Sequence, residues 1–80
     1  MKLRVKAFGI ARDILGAPDV DLPAAGIATV ADLKHALRQQ FPALGELSSV
    51  MIAVNLNYAN DTDKIHPADE IALIPPTSGG

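Results

Sequence analysis

An α+β fold, with one main helix on one face of a mixed β-sheet, is predicted by three features of the sequence. Lys2 to Ala7 alternates polar and apolar residues, the period of a half-buried strand. Thr29 to Gln40 opens on a capping residue and carries an apolar stripe at helical spacing. Two apolar runs, Val50 to Asn55 and Glu70 to Ile74, follow it, and Pro75-Pro76 ends the second. Strands before and after one amphipathic helix bury their apolar faces by packing the helix on the sheet.

The elements follow in order along the chain. In the first strand Leu3, Val5 and Ala7 face one side, and Lys2, Arg4 and Lys6 the other. Phe8 keeps the parity of the lysines, so it projects from the solvent face if the strand continues. Ile10 to Leu15 is read as a short helix, and Gly16 suits the position just past its end. Val20 and Leu22 mark a second strand closed by Pro23, and Pro23 to Ala28 is a loop. Thr29 caps the main helix, with Asp32 at capping-box spacing. Val30, Leu33, Leu37 and Phe41 form its stripe, and Pro42 requires it to have ended. Ala43 to Ser49 is a connection. Val50, Ile52 and Val54 share one face of a third strand. Asn57 to Asp69 is polar and turn-rich, with a brief extended piece near Tyr58, and Ile71 and Leu73 turn the last strand towards the core. The second sheet face stays open. Phe8, Met51, Ala53, Ala72 and Ile74 have the parity to form an apolar patch there, the mark of a partner interface.

Eighty residues, 49% of them apolar, make a single globular domain over residues 1–80, with a flexible C-terminal tail expected at 75–80. No cysteine is present, so the side chains supply no disulfide and no thiolate. Two scattered histidines do not make a zinc site, and no metal is expected. Seven basic residues stand against nine acidic ones with no basic cluster between aromatics, which argues against nucleic acid as a partner. No apolar run reaches membrane-spanning length, and Met1-Lys2-Leu3-Arg4 lacks a signal-peptide pattern. The expectation is a cytoplasmic protein with no membrane partner.

The side chains offer little chemistry. His35 lies opposite the apolar stripe of its helix, and His66 sits in a turn before Pro67; neither has a nucleophile at a readable spacing. Asp61, Asp63, Asp69 and Glu70 suggest calcium at a glance, but Ile65 falls where an oxygen ligand belongs, so a solvated acidic turn is the better reading. Ser48-Ser49 and Thr77-Ser78 have no adjacent base. The unusual group is the end of the sequence. Thr77, Ser78, Gly79 and Gly80 are small, and a Gly-Gly backbone threads a channel too narrow for any residue with a Cβ. A terminal carboxylate titrates at about 3.3–3.7 and is anionic at neutral pH. It accepts a nucleophile only after activation, for example as an acyl adenylate made by a separate ATP-using enzyme.

Val54-Asn55, Tyr58, and Asp69-Glu70-Ile71-Ala72-Leu73-Ile74-Pro75-Pro76-Thr77-Ser78-Gly79-Gly80 resemble the C-terminal pattern of the small subunit of molybdopterin synthase. Phe8 with Ala11-Arg12-Asp13-Ile14-Leu15-Gly16 resembles that family's opening segment. The resemblance implies a ubiquitin-like β-grasp fold and a sulfur-carrier role in molybdenum cofactor biosynthesis. Carried over by position, Gly80 becomes a glycyl adenylate and then a thiocarboxylate, and Gly79 keeps the backbone slim behind it. The sulfur goes to cyclic pyranopterin monophosphate, building the molybdopterin dithiolene. Phe8, Arg12, Tyr58, Ile74, Pro75 and Pro76 fall at the large-subunit interface, with Phe8 and Ile74 its centre and Arg12 and Lys6 its rim. The partners implied are the large subunit, in a heterotetramer of two small and two large subunits, a ubiquitin-activator-like adenylating enzyme and a sulfur donor. Catalytic residues belong to the large subunit, and the chain itself binds no cofactor. Ala68 stands where the family has glycine, Thr77 where valine is common, and Ile74 is aliphatic where some members carry an aromatic.

Two other readings use the same tail. One is a sulfur carrier for thiamin, cysteine or tRNA thiolation, and the other a ubiquitin-like modifier joined to lysines. A third, a non-covalent binding domain, makes no use of Gly79-Gly80.

Overall fold

The computed structural model describes residues 2–46 and 50–75. Ser48, Ser49, Pro76, Thr77, Ser78, Gly79 and Gly80 lie outside those residues, so the readings made at these positions have no structural counterpart. The elements are β1 (Lys2–Ala7), α1 (Gly9–Leu15), β2 (Asp19–Pro23), α2 (Val30–Gln40), a 3₁₀ helix (Pro42–Glu46), β3 (Met51–Val54), β4 (Asn57–Tyr58) and β5 (Ile71–Ile74). The strands form one mixed sheet in the order β2-β1-β5-β3-β4. β1 and β5 run parallel at its centre, and every other pairing is antiparallel.

Alternation in β1 decides which face is covered. Leu3, Val5 and Ala7 are buried in the core cluster that also holds the apolar residues of α2, while Lys2, Arg4 and Lys6 are exposed. Val30, Leu33 and Leu37 supply the buried stripe of α2. Ile71 and Leu73 of β5 and Ile52 of β3 complete the layer from below. Pro23 ends β2 at the edge of the sheet, where its missing N–H interrupts no ladder.

The N-terminus of α2 has its free N–H groups satisfied. Thr29 Oγ1 accepts from the Asp32 N–H at 3.3 Å, and Asp32 Oδ2 accepts from the N–H groups of Thr29 and Ala28 at 3.2 and 3.1 Å. Val30 and Ala31 donate to the backbone oxygens of Asp63 and Asp61. These contacts hold Asp32 below the ordinary aspartate range, through the Ala28 N–H first and the Thr29 N–H second. The acidic turn at 61–63 therefore serves as a backbone cap for the helix, in addition to being solvated.

Three expectations change. The connection after α2 is not irregular: Pro42–Glu46 is a 3₁₀ helix that buries Leu44 in the core. Phe41 caps the C-terminus of α2 and is only half-buried, because Pro42 stops the helix before the stripe completes another turn. Ile65, within the stretch read as polar, is buried, and its N–H donates to the Ala28 oxygen at 2.9 Å. An isolated large aliphatic residue in a polar stretch has no period to reveal it.

Candidate functional site

The sheet face away from α2 carries the site. Strand register places Lys6, Ala72, Ala53 and Tyr58 side by side in one row across β1, β5, β3 and β4. The two central members are alanines, so the row dips between longer side chains. Phe8, Leu56 and Ile74 join this row to line a groove of ≈ 350 Å³. Ala53 was expected on an exposed patch; it does lie on this face but is only 8% accessible, because its small side chain sits between Tyr58 and Ala72. Phe8 and Tyr58, by contrast, are 52% and 68% exposed.

Charge at the groove is self-neutralised. Lys6 Nζ lies 3.1 Å from Glu70 Oε1, and both residues line the groove. Arg4 pairs in the same way with Asp21 at 3.3 Å on β2. Exposed pairs of this kind add at most about 1 kcal/mol to stability. Their effect here is to leave an apolar floor with no net charge beside it.

Phe8 is held by the junction between β1 and α1. Its backbone is extended, φ −130° and ψ 156°, so the strand parity persists for one residue and the ring emerges on the open face. The same residue is the N-cap of α1, yet it offers no side-chain acceptor to the helix. Gly9 follows at φ 56°, and a Cβ there would come within 3.4 Å of the Pro75 ring. The start of α1 and the end of β5 thus meet at one end of the sheet. Parallel β1 and β5 bring Phe8, Ile74 and Pro75 to that same end. Arg12 lies outside the groove, lining an adjoining depression with Phe8, Lys6 and Asp19. Phe8 and Lys6 line both and join the depression to the groove.

The opposite end of the groove is a two-residue hairpin loop that the sequence reading did not anticipate. Ala53 pairs with Tyr58 and Val54 with Asn57, leaving Asn55 and Leu56 as the connection, at φ 52° and 71°. Positive φ at both central residues matches the twist of paired strands. Asn tolerates this conformation, but Leu pays roughly 1–2 kcal/mol for it. Asn55 braces the loop. Its Nδ2 donates to Asp69 Oδ1 at 3.1 Å, its Oδ1 accepts from the Glu70 N–H at 3.0 Å, and its own N–H donates to the Glu70 oxygen at 2.8 Å. Asp69 also accepts from the His66 N–H at 2.8 Å. That bond first, and the Asn55 amide second, hold its carboxyl below the ordinary range. Leu56 is 89% exposed on this braced turn. The signal available in the sequence was an apolar residue between Asn55 and Asn57, two residues suited to turns.

Among the described residues no buried side chain is polar or charged, and no group of three His, Asp or Glu stands close enough to hold a metal. None of the described helices is long and apolar enough to cross a membrane. A wider groove of ≈ 530 Å³ lies beside the outer face of α2, where Gln39 Nε2 is 3.1 Å from His35 Nε2. It holds no nucleophile and adjoins neither Phe8 nor Pro75.

The sequence pattern of the ThiS family matches residues 5–80. The molybdopterin synthase sulfur carrier subunit of Arabidopsis thaliana is 36% identical over 81 residues, covering all of this chain and 84% of that protein. The crystal structure of SAMP1, a small archaeal modifier protein from Haloferax volcanii, superposes with a TM-score of 0.82 at 28% identity, over the whole of both chains. A protein–protein complex of subunits 1 and 2 of the molybdopterin-converting factor from Helicobacter pylori gives 0.67 at 25% identity, again over both full chains. These likenesses make the fold a ubiquitin-like β-grasp.

Proposed function

The chain belongs to the ThiS family, and on that premise we propose that it is the sulfur-carrier subunit of a molybdopterin synthase. The curated relatives bear that description, and the reading needs no catalytic side chain from this domain. Gly80 carries the chemistry. Its carboxylate attacks the α-phosphorus of ATP on a separate, ubiquitin-activator-like enzyme, giving a glycyl adenylate and pyrophosphate. The outer sulfur of a donor persulfide then displaces AMP to give an acyl disulfide, and a thiol cleaves its S–S bond, leaving the thiocarboxylate on Gly80 and a disulfide on the donor side. In the synthase that sulfur passes to cyclic pyranopterin monophosphate, and water restores the carboxylate. Each carrier delivers one sulfur and a dithiolene holds two, in keeping with two small and two large subunits. ATP belongs to the activating enzyme, not to this chain, and the setting is the cytoplasm.

The observation that carries the reading is that Pro75, the residue from which Pro76–Gly80 continues, lies at the same end of the sheet as Phe8 and the apolar groove. A partner that receives the tail is brought to the end of the sheet at which Phe8 and Ile74 line that groove. The Helicobacter pylori complex supports a large subunit as that partner. Phe8, Tyr58 and Ile74 form the apolar centre of the interface, and Arg12, Lys6 and Pro75 its margin.

Incubation with the adenylating enzyme, ATP and a persulfide donor is expected to exchange one oxygen for sulfur at Gly80, read by intact mass. A chain lacking Gly80 keeps its fold and its large-subunit affinity but yields no molybdopterin. Product formed by the truncated chain overturns the assignment. An isopeptide adduct in place of sulfur exchange indicates a protein modifier, the reading to which the likeness to SAMP1 points.

A further inference from the structure

We propose that Leu56 is a docking anchor for the large subunit and that Asn55 is the positioning residue that presents it. The inference rests on the sulfur-carrier reading and adds a contact that reading does not contain. Two described positions carry a residue their backbone disfavours. Phe8 occupies a helix N-cap, where Ser, Thr, Asp or Asn is preferred. Leu56 occupies a left-handed position, where Gly or Asn is preferred. Both line the same groove. Residues that break a local rule without a compensating contact in the fold mark functional surfaces. Leu56 has no such compensation, being 89% exposed.

The geometry also identifies the occupant. Five residues follow Pro75, and five residues span at most about 17 Å. An enzyme that works on Gly80 therefore has its centre within that reach and lies over this end of the sheet. Its surface here must be apolar, because Lys6 and Glu70 neutralise one another and Ala53, Ala72 and Ile74 offer only carbon. Leu56 stands at the far end of the groove from Pro75. An apolar pocket on the partner that takes Leu56 fixes the carrier at a second point and sets the direction in which the tail enters. Asn55 makes this contact cheap. Its hydrogen bonds to Asp69 and Glu70 hold the loop in place before binding, so little order is lost on association.

The test is calorimetric titration of the full-length chain against the large subunit, with thermal melting of every variant. Leu56→Gly suits the positive φ, so its melting temperature is expected to equal or exceed that of the parent chain, while its affinity falls at least tenfold. Asn55→Gly keeps the φ but loses the brace, and weakens binding several-fold. In the Leu56→Gly background the same Asn55→Gly change costs nothing further, because the residue it positions is gone. Unchanged affinity in Leu56→Gly overturns the inference while the carrier reading stands. A change confined to self-association, read by sedimentation, also overturns it and assigns the groove to a second copy. A parent chain that fails to bind the large subunit removes the carrier reading, and this inference with it.

Discussion

Phe8 shows how a single residue can be read against its backbone. At an N-cap, a side-chain oxygen satisfies a helix N–H, and a phenyl ring cannot. Phe8→Asp therefore separates fold from function. The carboxylate can cap α1, a substitution worth about 0.5–2 kcal/mol in the favourable direction. The same carboxylate would enter the partner interface as an unpaired charge. The expected outcome is a melting temperature unchanged or raised and an affinity for the large subunit lowered at least tenfold. Equal affinities in a titration would remove Phe8 from the interface. The sequence did place Phe8 on the open face, since strand parity is a property of the chain alone. It could not show that the residue is also a cap.

At the scale of elements, two carboxylates hold local structure together by accepting backbone N–H groups. Asp32 closes the capping box of α2, and Asp69 joins the β3–β4 loop to the turn before β5. Both are held below the ordinary aspartate range. A depressed folded value means stability that is fully present above the unfolded value, about pH 3.9, and lost as pH falls through the lower folded values. Melting temperature is therefore expected to be level with respect to these groups from pH 7 to about 5 and to fall below about 3.9. Asp32→Asn lowers the plateau and flattens this acid limb. An acid limb of unchanged slope in Asp32→Asn would remove the capping box as its source. The capping box was legible because both partners lie three residues apart. The Asn55–Asp69 brace was not, because its ends lie fourteen positions apart and nothing local links them.

At the scale of the whole molecule, the core is one apolar layer between α2 and the sheet, with Leu15, Leu44 and Ile65 sealing its margins. Leu44 comes from the 3₁₀ helix and is 2% exposed. Leu44→Ala is expected to cost about 2–5 kcal/mol, through lost burial and the space left behind. Urea denaturation measures it, and sulfur loading of the folded fraction at Gly80 remains as in the parent chain. A loss under 1 kcal/mol would show that the 3₁₀ helix closes over the gap. The sequence by itself determined β1, α2, the strand ends at Pro23 and Pro75, and the sheet face left uncovered. Each follows from a period or a backbone rule that acts within a few residues. Only the tertiary structure decided that β5 enters between β1 and β3, that Ala53 and Ala72 then floor a groove, and that Leu56 stands at its end. Strand order and burial arise from contacts between distant segments, and no local pattern encodes them.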